Sequence, residues 1–482
     1  MSIIDRIIEY FSPETAVRRR AAKVSLELLK RRFDGASQLP RFSEWRRSGT
    51  SADAAALPGL ATLRNGSRDL TRNNPWAERA LTIIQTNVVG TGIRANISAT
   101  KRLKNTWRAW ALTRDMDYEG RADLFSMQHL CIRAIAESGE VLIRRRWRSV
   151  EGDPRRTVPF QIQMLEPDYI DESKTGKTED GNEIKSGIEF NPAGRPVAYH
   201  LREQHPGDAS SMADTKSYRV SADDVIHAFD QRRAGQTRGY PWCAPAIRRL
   251  RDFDGFEDAQ LVRQKLAACF TAFVHDATGA GAGGITGLGP NSPTEAQLEY
   301  LQPGVVEWLP PGKDVKFPTP PGAENYSEYT TSVLRGIAAA YGITYEALTG
   351  DYAKVNFSAG RMGWIEMSRS VARWQALMRV QLLDPIAAWF LQAMQAPPKT
   401  EIKWLFPRRE MVDPTREIPA LISSIRAGLT SLQRAQAAHG YDSDEILTEI
   451  AEDTAALDKL GIVLDIDPRH DKKEANGDES GT

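Results

Sequence analysis

Between Ala359 and Gln395 one pattern repeats for longer than anywhere else in the chain. Trp364, Met367, Val371, Trp374, Met378, Leu382, Ile386, Trp389 and Ala393 follow one another at intervals of three or four. That is the spacing of one face of an α-helix, and at 1.5 Å per residue the element would span about 55 Å. Pro385 lies inside it. Proline has no N–H to donate and its ring crowds the carbonyl four residues earlier, so a kink is expected near Gln381. The aromatic residues at helical spacing read as core or subunit-interface groups rather than as the lining of a ligand pocket.

The segments around this helix divide by period. Ser12 followed by Pro13 predicts a helix to about Arg32. Residues 33–74, rich in Ser, Gly and Arg and poor in periodicity, read as an extended arm. Asn74 and Pro75 open a further helix with Trp76, Ala80, Ile83, Ile84 and Val88 on one face, ended by Gly90. Two more follow near 99–113 and 120–138.

From Glu140 the period becomes two. VLIRRRW, PFQIQMLEPDYI, GIEFNPAGRPVAYHL and YRVSADDVIHAF all read as strands, the third with its own turn at Pro192 and Gly194. Helical spacing returns at 245–271, with Phe253, Phe256, Val262, Leu266 and Cys269 on one stripe, and again at 324–341. Between these two helices, residues 272–323 are broken by Gly and Pro and hold short strands such as VVEWL. After the long helix come a strand, EIKWLF, and three short helices separated by Gly428, Gly440 and Gly461. The last residues, 466–482, have a polar and charged composition that predicts disorder.

Bulk properties narrow the function classes. The 482 residues suit roughly three domains or one elongated subunit. No apolar run approaches the ~18 residues of a membrane span. The start, MSIIDRIIEYFSPETAVRRRAAK, places acids and apolar residues before arginines, the reverse of a secretory signal. Three cysteines, Cys131, Cys243 and Cys269, with no C-x-x-C pair predict a reducing compartment. The chain has 63 basic and 63 acidic residues, whereas a sequence-reading DNA-binding domain is strongly basic. The charge is unevenly spread: residues 437–482 hold thirteen acids against four bases.

Candidate chemistry is sparse. GAGAGG at 279–284 matches a dinucleotide fingerprint, but ITGLGPNSP follows where the phosphate-holding helix belongs, so it reads as a loop. GKT at 176–178 has Asp171 where a phosphate loop needs its first glycine, and reads as a hairpin turn. The seven histidines have no metal-ligand spacing, so no metal or cofactor is expected. The arginines at 144–148 alternate along a strand and suit either a solvated face or a contact with nucleic acid or another subunit. The richest polar stretch is GITYEALTGDYAKVNFSAGRMG, residues 342–363. Its Ser358, Lys354 and Asp351 could form a nucleophile and base, yet no rigid elbow or oxyanion donor accompanies them.

The order of features carries a resemblance. NPWAERALTIIQTNVVGTGI (74–93), GIEFNPAGRPVAYHL (187–201), DDVIHAFDQRRAGQTRGYPWCAPAI (223–247) and LRGIAAAYGITYEALTGDYAKVNFSAGRMG (334–363) occur in the sequence and order of portal proteins of tailed bacteriophages, which this chain resembles in its lambda type. The resemblance spans most of residues 60–410.

It implies a mainly helical α+β portal fold, and a non-enzymatic subunit that closes into a ring, commonly of twelve. The ring sits at one vertex of the virion capsid, after assembly in the host bacterial cytoplasm, and double-stranded DNA enters and leaves through its axial channel. In these terms 1–73 is an N-terminal helix and arm, 74–244 wing, 245–271 and 324–342 stem helices bracketing a clip at 272–323, 343–358 a tunnel loop, 359–412 a long wing helix and strand, and 413–465 a crown.

The resemblance puts Asp351, Tyr352, Lys354, Asn356 and Ser358 at the DNA channel; Arg144, Arg145 and Arg146 are, from their strand pattern alone, candidates for secondary DNA or intersubunit contacts. Trp308, Lys313 and Lys316 fall in the clip, where the large terminase subunit and a head-completion or adaptor protein dock. The other partners implied are the major capsid and scaffold proteins. A nucleic-acid-processing enzyme using residues 346–358, or a helical scaffold without a channel, are the competing readings.

Overall fold

A computed structural model of the chain describes Glu14, Val17 and residues 48–151, 156–208, 216–269, 273–274, 307–308, 326–407, 410–411 and 413–464. The chain divides into two units, Met1–Ala55 and Ala56–Thr482. Of the first, Glu14, Val17 and 48–55 are described, so the helix expected over 12–32 lies almost wholly outside the described residues. The tail at 466–482 and nearly all of 272–323 lie outside them too.

The expected arm ends earlier than the sequence suggests. Residues Leu60–Asn73 form a helix, α1. Its buried face is Leu60, Arg64, Ser67, Leu70 and Thr71, which has helical spacing but is mostly polar. An apolar-periodicity reading cannot see such a face.

Those polar groups are satisfied by a buried ion network. Glu140, at 0% exposure, accepts from Arg64 Nη2 at 3.2 Å, from Arg238 Nη2 at 2.7 Å and from the Gly239 N–H at 2.8 Å, and pairs with His227 Nε2 at 2.9 Å. Burial alone would raise the Glu140 pKa; the Arg238 charge and the His227 bond outweigh it and hold the carboxyl far below its ordinary value.

Asn74 caps the next helix, α2 (Pro75–Val88), its Oδ1 accepting from the Trp76 and Ala77 N–H groups at 3.0 and 3.2 Å. Strand β1 (Arg94–Ser98) and helices α3 (Lys101–Ala111) and α4 (Leu124–Ser138) follow. Gly139 ends α4 with φ +93°, and a Cβ there would lie 2.4 Å from the Tyr240 backbone.

Two antiparallel sheets come next. The first has order β3-β2-β9, from β2 (Glu140–Trp147), β3 (Phe160–Leu165) and β9 (Val225–Phe229). The second runs β4-β5-β6-β7-β8, from β4 (Gly176–Lys177), β5 (Glu183–Lys185), β6 (Ile188–Phe190), β7 (Pro196–Arg202) and β8 (Ser217–Ser221). GKT therefore lies on the first arm of the β4–β5 hairpin, turned at Gly181. YRVSADDVIHAF is not one strand: a 3₁₀ turn at Ala222–Asp224 sends its halves to different sheets.

Strand β2 serves two cores at period two. Val141 and Ile143 join the main core with Ile84, Trp110, Ile135 and Phe390, while Leu142 joins a smaller one with Leu165, Ile188, Tyr199 and Leu201.

Helices α5 (Ile247–Cys269) and α6 (Tyr326–Tyr341) pair antiparallel. Arg249 lies against Gly336, and the Phe256 ring meets Tyr326 and Tyr329 at 5.9 and 4.7 Å. Leu250 and Leu334 are buried, but Leu261, Val262, Tyr326 and Tyr329 are exposed, so the pair leaves the core toward its 265 and 326 ends. Beyond it Phe273–Val274 (β10) and Glu307–Trp308 (β11) pair in parallel.

The long helix is three segments. α-Helix α8 (Phe357–Met378) follows a one-turn helix, α7 (Tyr345–Thr349). A π-helical turn, Arg379–Leu383, joins α8 to α9 (Asp384–Ala393). The expected disturbance near Gln381 is thus a π-turn, in which the Asp384 N–H donates to the Arg379 carbonyl five residues back, just before Pro385. Strand β12 (Glu401–Leu405) pairs with β1. Helices α10 (Pro414–Arg426), α11 (Leu432–Ala438) and α12 (Ser443–Leu460) end the described chain, with Gly428, Gly440 and Gly461 at positive φ after each. No helix among the described residues is long and apolar enough to cross a membrane.

Candidate functional site: the exposed loop before the long helix

The base of the loop is rigid. Tyr341, Ile343 and Leu348 are buried, and Trp374 of α8 stacks on Trp242 with centroids 5.0 Å apart. Gly342 is at φ +75°, a conformation that side-chain-bearing residues rarely adopt, and a Cβ there would lie 3.2 Å from the Trp374 ring. The Thr344 hydroxyl caps α7 on the Ala347 N–H at 3.3 Å, and Gly350 closes it in the left-handed region.

From Gly350 outward the backbone is held by its own polar side chains. Asp351 Oδ1 accepts from the Ala353 N–H at 3.1 Å, and Asn356 Oδ1 accepts from the Ala359 N–H at 2.8 Å, capping α8. Tyr352 is 60% exposed, and Lys354 is exposed without a hydrogen bond or ion pair among the described residues. Ser358 is also exposed, but it sits in the first turn of α8 rather than in the loop. No hydrogen bond joins Ser358, Lys354 and Asp351, so the described geometry offers no activated nucleophile.

The loop continues into an uncovered helix. Phe357, Met362, Trp364 and Ile365 are exposed, and the first buried residue of α8 is Met367. More than two turns of helix bearing large apolar groups thus face solvent in the single chain.

The arginines split by strand alternation. Arg145 is 7% exposed, paired with Asp224 at 2.7 Å and lying over the Trp147 and Trp389 rings, so it is engaged within the chain. Arg144 and Arg146 point to the opposite face. Of the clip residues, Trp308 is on β11, and Lys313 and Lys316 lie outside the described residues.

One cluster escaped the spacing argument. Glu166, Asp168 and His205 place ligand-type atoms within 4.8 Å of one another. Arg68 Nη2 already lies 2.8 Å from a carboxylate oxygen of each acid, and His205 Nδ1 accepts from the Gly207 N–H at 3.0 Å, leaving the proton on Nε2. One guanidinium thus already pairs with both acids of the cluster.

Comparison with known proteins identifies the family of the chain. The family described as "Phage portal protein, lambda family" matches residues 38–375. A probable portal protein of Halomonas phage phiHAP-1 is 26% identical, over 90% of this chain and 88% of its own length. Portal protein B of Escherichia phage lambda is 23% identical, over 87% and 88%. The neck of an empty gene transfer agent particle matches with a TM-score of 0.44 at 16% identity, over 80% of this chain and 93% of that one. Because the family match takes in well over half of the sequence, this chain belongs to the lambda family of phage portal proteins.

Proposed function

We propose that copies of this chain close into a ring of about twelve at one vertex of a virion capsid and that double-stranded DNA is packaged and ejected through the channel, without catalysis by this subunit. The observation that carries this reading is the exposed arm of residues 350–366. It bears a charge-balanced loop at its tip and uncovered Phe357, Met362, Trp364 and Ile365 behind it. A neighbouring copy would cover the apolar groups, leaving Tyr352 and Lys354 toward the axis.

The charge balance suits a conduit. Each Lys or Arg that engages phosphate releases counterions, and about six to ten such contacts already bind DNA strongly. A ring multiplies every side chain by the subunit number. A ring of Lys354 is offset by a ring of Asp351, so DNA can slide rather than stick. In the same reading 74–244 and 359–412 are wing, α5 and α6 stem, 272–323 clip and 413–465 crown. The large terminase subunit and then a head-completion protein dock on the clip, through Trp308, Lys313 and Lys316, and the wing and crown meet the capsid and scaffold proteins.

Negative-stain microscopy of the full chain co-expressed with capsid and scaffold proteins tests it. Closed rings with an axial hole are expected; persistent monomers or oligomers without a hole would overturn the reading.

A further inference from the structure

A second polar concavity lies away from the loop, where the three-stranded and five-stranded sheets meet. It has a volume of about 390 Å³ and is lined by side chains of β2, β3, β7 and β8, with Tyr169. None of these elements belongs to the arm described above.

Its charge is one-sided. Arg144 and Arg146 enter from β2, two residues apart on one face, and Arg202 enters from β7. The one acidic residue of the lining is Glu203, exposed at the mouth. Arg202 is partly answered by Asp171, whose Oδ1 lies 3.0 Å from its Nη2. Arg146 donates through Nε to Gln163 Oε1 at 2.8 Å and lies over the Tyr118 ring, with no carboxylate on it. The Arg144 side chain makes no hydrogen bond or ion pair among the described residues, and Asp224, an acid whose charge offsets it, is bonded to Arg145.

Donors are left over as well as charge. The whole Arg144 guanidinium is half-buried and unpaired. Burial, and then the like charge of Arg146, destabilise the Arg144 cation, which an anion would relieve. Unpaired guanidinium groups in a partly buried site cost free energy that a protein recovers when an oxyanion accepts from them.

We infer that this pocket binds a phosphate group, held by Arg144 and Arg146 with Arg202 as a third donor. A phosphate carries up to two negative charges near neutral pH and matches two guanidinium groups that lack carboxylates, whereas a single carboxylate ligand would leave one unanswered. The phosphate is either that of a soluble ester or one in a nucleic-acid backbone. The inference stands whether or not the ring reading does, because it concerns one subunit.

Isothermal titration calorimetry of the full chain with inorganic phosphate at low ionic strength tests it. Saturable binding is expected, weakened about tenfold or more by Arg144→Ala and less by Arg144→Lys, which keeps the charge but loses the planar fork. Glu203→Gln removes the repelling carboxylate and should tighten binding about threefold, a gain that a misfolded variant cannot produce. Absence of saturable binding in the wild type, or one affinity shared by wild type, Arg144→Ala and Glu203→Gln, overturns the inference. So does acetate binding as tightly as phosphate, since the ligand would then be a carboxylate. Short duplex DNA in the same cell separates the two sources. DNA binding that falls with Arg144→Ala assigns the phosphate to a backbone, and a response to inorganic phosphate alone assigns it to a soluble ester.

Discussion

Arg238 and Glu140 meet where neither is reached by solvent, with Nη2 2.7 Å from Oε1 and Nε within 3.0 Å of both carboxylate oxygens. Arg64 brings α1 to the same carboxylate, His227 brings β9, and the Gly239 N–H brings the following loop. One negative charge at the first residue of β2 therefore ties together segments nearly 180 residues apart in sequence.

Substituting Glu140→Gln should strip that charge from two buried arginines and cost about 3–5 kcal/mol, read from the urea midpoint at neutral pH. The folded-state pKa of Glu140 lies below its ordinary value near 4.5, so its contribution is complete above that value and is lost as pH falls through and below it. Wild-type stability should decline from about pH 5 to about pH 3, and the decline should be shallower in Glu140→Gln. Parallel pH profiles would sink the assignment.

In the exposed loop the polar residues divide by task. Asn356→Ala removes the cap of α8 and should cost about 1 kcal/mol locally, speeding hydrogen exchange of the Ala359 amide about fivefold; Asn356→Gly should cost only a few tenths. Unchanged exchange in the alanine variant would mean the cap is not formed in solution.

Lys354 makes no side-chain hydrogen bond or ion pair among the described residues. Lys354→Ala should leave folding within about 0.5 kcal/mol and ring assembly intact while altering DNA packaging or retention in particles. Normal packaging and retention by particles carrying the variant would remove Lys354 from the channel.

Gly139→Ala places a methyl group 2.4 Å from the Tyr240 backbone at a φ of +93°. Backbone cannot rotate aside as a side chain does, so a loss of about 3 kcal/mol or more is expected in denaturant melts. Gly350→Ala, at φ +70° with open space around its Cβ position, should cost only the conformational strain, about 1–2 kcal/mol.

Cys131 is buried and its thiol is pushed far above the ordinary value by desolvation; burial raises Cys243 too. Neither should react with iodoacetamide in the native chain, and both should react after unfolding, as mass spectrometry of labelled peptides would show. Rapid native labelling of either would contradict the packing described.

What the sequence determined by itself was whatever is written in short-range spacing. The cap at Asn74–Pro75, the hairpin from Ile188 to Arg202, the helices that end before the three late glycines and the run from Trp364 to Ala393 are all legible. Each depends on neighbours within one or two turns, as does the disturbance that Pro385 imposes. The exposed polar loop and its family resemblance could be read in the same way.

Tertiary structure decided the rest, because periodicity says which residues share a face but not what that face meets. Helix α1 was hidden by a polar inward face that makes sense only beside Glu140. The strands at 217–229 parted because their partners lie in two sheets, and β1 found β12 more than 300 residues later in the sequence. Asn356 is a polar loop residue by sequence and a helix cap by geometry. The alternation at Arg144, Arg145 and Arg146 puts the middle one on a different face, but only packing shows it buried with Asp224 and the outer two turned into a pocket.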